Sequence, residues 1–259
     1  MQQETEAFLR YLATQRNFSP NTLAAYRNDL SQMADFFREK GARQWVDIDR
    51  QLVLSYLLDL KQRGYALTTV ARKTASAKTM FRFFVNEGII RSSPTDNVGS
   101  PRVKKNLPHP LPEGQVRELL RQPDKYPTPE ARRDKAMLEL LYASGMKISE
   151  LMSLDVNDID FNGEYVRCTV RGSKERNTSL SSNSVPAFKK YVEEARPHLV
   201  HHRGEKALFL NRLGQRLTRQ GFWQIVKTYA KEAKLDSQVT LRALRHSFAA
   251  NPQNMKVSA

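Results

Sequence analysis

A proline-dense stretch near the middle of the chain constrains its architecture more than any other feature. Between Arg91 and Gly114 lie Pro94, Pro101, Pro108, Pro110 and Pro112. Proline fixes φ and has no amide hydrogen, so this composition forbids a helix and favours a stiff, extended connection. At 259 residues the chain is long enough to build a core on each side of it. The expected organisation is two domains, residues 1–92 and 113–259, joined by a linker over residues 93–112.

Upstream of the break, every periodic segment is helical. Gln2 to Gln15 places Phe8, Tyr11 and Leu12 on one face. Ser19 is positioned as an N-cap and Pro20 as the first helical residue, and Leu23, Tyr26, Leu30, Met33 and Phe37 continue at helical spacing to a stop at Gly41. A third helix runs from Arg50 to Arg63 before Gly64. A fourth starts after Thr68 and passes through Met80, Phe81, Phe83 and Phe84 to Gly88. Four helices with short connections make a small helical domain.

Downstream the pattern is mixed. Helices are expected at Glu113 to Arg121, Pro129 to Ala143 (interrupted by Ser144-Gly145), Lys147 to Leu154, Ser184 to Pro197, Arg219 to Leu235 and Thr240 to Ala250. Strands are expected at Ile159 to Phe161, Tyr165 to Val170 and Glu175 to Leu180, with turns at Asn162-Gly163 and at Arg171, Gly172 and Ser173. Leu208 to Leu210 is a further strand fragment. The fold class is therefore mainly α with a small antiparallel three-stranded sheet.

Charge narrows the choice of partner. Lysine and arginine total 42 against 27 acidic residues, a net charge of +15. The excess is +7 over residues 1–105 and +8 over the remainder, so it is spread over folded surface rather than gathered in a tail. Such a balance points to a polyanion, nucleic acid first and an anionic membrane surface second. No apolar run is long enough to span a bilayer, and the opening MQQETEAF has no signal-peptide pattern, which makes the cytoplasm the default location. Cys168 is the only cysteine, which excludes an internal disulfide and a cysteine-cluster metal site. Within its apolar run it is expected to be a small buried hydrophobe.

Three segments collect the candidate phosphate contacts. On the fourth helix Arg72, Lys73, Lys78 and Arg82 sit among Thr69, Thr74, Ser76 and Thr79, a pattern suited to phosphate contact as well as to a solvated face. In the linker, Arg102, Lys104 and Lys105 either track a phosphate backbone across the gap or are incidental charge on a spacer. Near the end, TLRALRHSFAA puts Leu241, Leu244 and Phe248 on a core-facing stripe, with Arg242, Arg245 and His246 beside it. Paired guanidiniums on an anchored helix suit a planar anion, of which a phosphodiester is the commonest.

Three stretches in this order resemble the tyrosine recombinase family, the phage integrase and Xer-type site-specific recombinases. Ala143-Ser144-Gly145-Met146-Lys147-Ile148-Ser149-Glu150-Leu151 is similar to the box around the family's first catalytic arginine. Val170 to Arg176 resembles the hairpin carrying its catalytic lysine, and Leu241 to Phe248 resembles its His-x-x-Arg box. Ser19-Pro20-Asn21-Thr22, followed by Tyr26 and Leu30, is similar to the N-terminal core-binding domain of Xer-type members.

The resemblance implies a two-domain DNA clamp, with a four-helix core-binding domain and a mixed α+β catalytic domain. It also implies double-stranded DNA and other recombinase protomers as partners. In the family's reaction a tyrosine hydroxyl attacks a phosphodiester, giving a phosphotyrosine link that a second strand's hydroxyl reverses, and no metal or energy cofactor is needed. Fixed guanidiniums then stabilise the anionic phosphorane, and the hairpin lysine protonates the leaving oxygen. Carried over, Arg245 matches the second arginine and Lys174 the hairpin lysine, while Arg171, Arg176 and His246 are added DNA contacts. His246 has a structural reading as well. Two catalytic positions depart from the pattern. Lys147 stands where the family has arginine and lacks the bidentate fork, and Arg242 stands at the histidine and cannot accept a proton near neutrality.

None of the nine tyrosines, Tyr11 to Tyr229, follows Arg245. The expectation is a catalytic domain incomplete at its C-terminus, unable to cleave alone, with part of the last helix's apolar face exposed. The alternative is a degenerate relative that holds DNA or a partner recombinase without cutting it. A helical RNA-binding protein is a third reading, disfavoured by three ordered boxes.

Overall fold

The structure, a computed structural model, describes residues 1–101, 110–170, 174–180, 184–235 and 239–250. The chain divides into two compact units, Met1–Asn106 and Leu107–Ala259.

The first unit packs four helices: α1 (Gln2–Thr14), α2 (Pro20–Glu39), α3 (Arg50–Gln62) and α4 (Leu67–Asn86). Their starts are fixed locally. Ser19 Oγ accepts the Thr22 amide at 3.2 Å and Asp49 Oδ1 accepts that of Leu52 at 2.7 Å, each satisfying a helix-end donor that has no intrahelical partner. Trp45 sits at the centre of an aromatic core, edge-on to Phe81 at 5.7 Å and to Phe37 at 6.4 Å, and its indole N–H donates to the Met1 carbonyl at 2.9 Å. Truncating such a buried ring to alanine typically costs about 3–5 kcal/mol.

The second unit is built around α6 (Pro129–Ser144), which packs against α5 (Glu113–Arg121), α7 (Ile148–Ser153), α8 (Ser184–Lys189) and α10 (Leu241–Ala250). Ala136, Met137, Leu138, Leu140 and Leu141 are all fully buried, so α6 is enclosed on nearly every side. Inside it lies an ion pair: Arg133 and Asp134, each 4% exposed, are joined at 2.7 Å. Arg133 also donates to the Leu210 carbonyl, and Asp134 accepts the Tyr229 hydroxyl from α9 (Arg219–Glu232) at 3.0 Å. The antiparallel sheet runs in order β1 (Ile159–Asp160), β2 (Tyr165–Val170), β3 (Lys174–Ser179), with Cys168 opposite Arg176 and Val170 opposite Lys174. Val166 and Cys168 enter the core, while β3 is an exposed edge.

The mainly helical fold with one small three-stranded sheet is as expected, but three local readings change. The segment expected as one helix from Ser184 to Pro197 is α8, then a π-helical stretch Lys190–Ala195, then a 3-10 turn Arg196–Leu199. The Tyr191 hydroxyl at the start of the widened turn reaches the Leu208 carbonyl at 2.8 Å while its ring stacks on Phe209. Leu208 to Leu210 is buried but forms no strand; its surroundings are single bridges, Asp155 with Ala207 and Leu210 with Arg216. The first hairpin turns as expected through Asn162-Gly163, within residues 161–164, with Glu164 at φ +51 and Asp160 accepting the amides of Asn162 and Gly163. Both ends of the proline-rich connection are packed. Thr95 and Val98 are buried on the first unit's side, and the Leu111 amide donates to Ser247 Oγ at 2.8 Å in the second. No described helix is long and apolar enough to cross a membrane.

Candidate functional site

In the second unit, two hydrogen bonds and one shared carboxylate gather residues from three distant segments. α6 ends at Gly145, whose left-handed conformation (φ +57) is the usual helix-terminating geometry. Its carbonyl accepts Nε of Arg245, from α10, at 2.7 Å. Two residues after that glycine, Lys147 caps α7: its amide donates to Glu150 Oε2 at 2.8 Å, and its ammonium lies 3.2 Å from Oε1. From β3, Arg176 brings Nη2 to 3.5 Å from Glu150 Oε2.

The electrostatics of this arrangement are uneven. Glu150 is buried at 7% side-chain exposure, whereas Lys147 and Arg176 are about half exposed at 50% and 49%. One inward anion therefore fixes two outward cations. Arg245 is held by its Nε, and its two Nη groups have no partner among the described residues. α10 is itself locked: Thr240 Oγ1 accepts the Ala243 amide at 2.9 Å, and Leu241, Ala243 and Leu244 are buried. The expected exposed apolar face is not seen among the described side chains of α10; the side chain of Phe248 lies outside them. Arg242 is exposed and His246 half-buried, and neither makes a hydrogen bond or ion pair among the described residues. A cluster of fixed cations around one turn can bind a tetrahedral or planar oxyanion without a metal ion.

Lys174 is placed by its backbone at the first position of β3, opposite Val170; its side chain lies outside the described residues, as do Arg102, Lys104, Lys105 and Arg171. Glu150 and Gly145 are the residues that sequence reasoning left without a role. A glutamate at the third position of a helix, able to accept the amide of the residue before it, is half of a capping box and was the available sign.

On the first unit, α4 separates the four cations read together from the sequence. Arg82 is exposed and Lys78 half-buried, with no ion pair among the described residues. Arg72 is 40% exposed and bound to Asp29 of α2. Lys73 is a correction: at 2% exposure it faces inward, 3.2 Å from Asp29 and donating to Gln32 at 2.8 Å, so it cannot lie on an outward phosphate-contacting face. Thr74 and Ser76 are buried too, donating to the carbonyls of Val70 and Lys73 in their own helix.

Comparison with known proteins covers both units. The phage integrase family matches residues 110–259, and the phage integrase N-terminal SAM-like domain matches residues 5–88. Tyrosine recombinase XerC of Roseiflexus castenholzii is 46% identical over 256 residues, covering 98% of this chain and 81% of that protein. Tyrosine recombinase XerD of Oceanobacillus iheyensis is 37% identical, covering 94% and 82%. Among solved structures, a lambda integrase dimer bound to a COC′ core site superposes with TM-score 0.71 at 14% identity, over 96% of this chain and 88% of that one. The XerH recombinase bound to its difH substrate gives 0.69 at 18%, over 98% and 76%. At these identities the two structures speak for the fold.

Proposed function

This chain belongs to the phage integrase family, and from that membership we propose that it is a Xer-type site-specific DNA recombination protein, with duplex DNA and further recombinase protomers as its partners and the cytoplasm as its place of work. The observation that carries the proposal is the assembly around Gly145 and Glu150. Arg245, Lys147 and Arg176 come from three segments separated in sequence, and contacts to Gly145 and Glu150 hold them around the turn between α6 and α7. In this reading Arg245 grips the scissile phosphate through its Nη groups, Lys147 supplies a second charge, and Lys174 stands on the hairpin as the proton donor to the leaving oxygen. Arg242, Arg171, Arg176 and His246 add contacts to the same strand. Arg72, Lys78 and Arg82 of α4 hold the duplex from the core-binding domain, and Arg102, Lys104 and Lys105 track the backbone along the linker.

The test is duplex binding across a salt series. Each neutralised phosphate contributes roughly −0.9 to the log–log slope, so an affinity falling steeply with salt is the expected result and a salt-insensitive one overturns the reading. Two positions favour a second reading, a relative that binds without efficient cleavage. Lys147 offers no bidentate fork, and Arg242 no proton acceptor, where the family's pattern has arginine and histidine. Losing one preorganised donor costs about 10²–10³ in rate. A covalent protein–DNA adduct accumulating rapidly on a nicked duplex, with Lys147 and Arg242 unchanged, overturns that second reading.

A further inference from the structure

A buried carboxylate in the first unit faces two adjacent cations of α4 and treats them differently. The side chain of Asp29 has 0% exposure. Lys73, 2% exposed, lies 3.2 Å from Oδ1, donates to Gln32 Oε1 at 2.8 Å and sits 5.5 Å from the centre of the Tyr65 ring. That ammonium alone balances the carboxylate inside the protein, as a buried charge requires. Arg72 donates from Nη1 to the other oxygen, Oδ2, and lies 3.5 Å from the Ala25 carbonyl, with its side chain 40% exposed. The pair Asp29 and Lys73 is neutral together, so the charge of Arg72 is left for the surface.

The orientation of Arg72 follows from which nitrogen is held. A guanidinium binds an oxyanion through two parallel N–H donors on one edge. With Nη1 turned inward, the remaining edge is Nε with Nη2, and neither atom has a partner among the described residues. The same edge binds a carboxylate elsewhere in this unit, where Arg27 Nε and Nη2 reach Glu6 at 3.0 and 2.6 Å. Along the outward side of α4, Arg72 is followed by Ala75, Thr79 and Arg82 at helical spacing; the exposed methyl of Ala75 lets a bulky partner approach the helix closely. An arginine left free would lose rotamer freedom on binding, whereas one already fastened loses less.

We propose that Asp29, neutralised by Lys73, is a positioning residue for DNA binding: it fixes Arg72 so that the free Nε–Nη2 edge takes a backbone phosphate. This rests on the DNA-binding reading above.

The test uses the 259-residue chain and a labelled duplex of mixed sequence, with affinity measured across a salt series for the unaltered protein and for Arg72→Gln, Arg72→Lys, Asp29→Asn and the Asp29→Asn/Arg72→Gln pair. Arg72→Gln should weaken binding roughly tenfold and lower the salt slope by about 0.9. Arg72→Lys should be nearly as weak although it keeps the charge, because an ammonium held on Asp29 has no second edge to offer. Asp29→Asn makes the protein more positive, so bulk electrostatics alone predicts tighter binding. The proposal predicts weaker binding, and no further loss when Arg72→Gln is already present. Asp29→Asn binding as well as or better than the parent, or losing the same factor in the Arg72→Gln background, overturns the proposal, as does Arg72→Lys binding like the parent. Should Asp29→Asn fail to fold by circular dichroism, Arg72→Lys against Arg72→Gln decides alone. An unaltered chain that does not bind the duplex overturns the DNA-binding reading itself. Salt-dependent binding that none of the variants changes overturns the contact of Arg72 and the role of Asp29 together, and leaves the DNA-binding reading standing.

Discussion

Replacing Glu150 by alanine is expected to destabilise the second unit by about 1–2 kcal/mol, and the figure can be assembled from its contacts. The carboxylate accepts the Lys147 amide at 2.8 Å, a capping bond whose loss typically costs about 1 kcal/mol. Its ion pairs with Lys147 at 3.2 Å and Arg176 at 3.5 Å involve cations that are half exposed. Solvent screening reduces each of these to roughly 0–1 kcal/mol, far below the unscreened Coulomb value. Removing a 7% exposed carboxylate also relieves its desolvation, which offsets part of the loss. Glu150→Gln keeps an oxygen for the Lys147 amide and loses only the charge, so it should cost under about 1 kcal/mol. In a domain of this size each kcal/mol moves the midpoint by about 2–4 °C, within reach of scanning calorimetry. Equal destabilisation by the two substitutions would show that charge rather than capping dominates. A loss above about 4 kcal/mol in either would show Glu150 to be a buried ion with unscreened partners, and either result refutes the reasoning.

Three further outcomes follow from groups held inside the second unit. Asp134→Ala leaves Arg133 buried at 4% exposure without its carboxylate and should cost about 3–5 kcal/mol, measured by urea unfolding; a cost under 1 kcal/mol would show that water replaces the pair. Burial pushes the Glu139 carboxyl up, only partly opposed by Lys135 at 3.5 Å. A folded value above the unfolded one adds stability that is present below the unfolded value and lost as pH rises through the folded one. Glu139→Gln should therefore gain relative to the parent at neutral pH and lose that advantage on acidification, read from urea midpoints against pH; an advantage that grows in acid contradicts it. Burial likewise pushes the Cys168 thiol up, so a thiol-specific reagent should label the native protein slowly and the urea-unfolded protein at once, and fast native labelling would refute its enclosure.

The helices were legible in the sequence wherever their ends are local. Ser19 with Pro20, and the glycines at 41, 64 and 145, act within a turn of themselves, and the structure puts helix boundaries beside each of them. The misread segments depend on partners distant in sequence. Nothing within residues 184–197 announces a π-helical turn, because its place depends on where the Leu208 carbonyl and the Phe209 ring come to lie. Leu208 to Leu210 has the composition of a strand, but its amides and carbonyls are taken by Leu154, Arg133 and Leu217, so no ladder forms.

The site was legible as residue types at a spacing, whereas the division of labour among its charges was not. Even so, a physical rule for that division was present in the pattern. Lys73 falls three residues after Val70 and four before Ala77, on the stripe that continues to Met80 and Phe84. Asp29 falls three after Tyr26 and four before Met33. An unpaired charge on an apolar stripe costs several kcal/mol, so a chain that folds with one must supply its opposite on a facing stripe. The lone lysine on the inner face of α4 and the lone aspartate on the inner face of α2 are each the condition for the other's burial. Charges displaced from that stripe by a single residue, Arg72 above all, are then the ones free to meet a partner from outside.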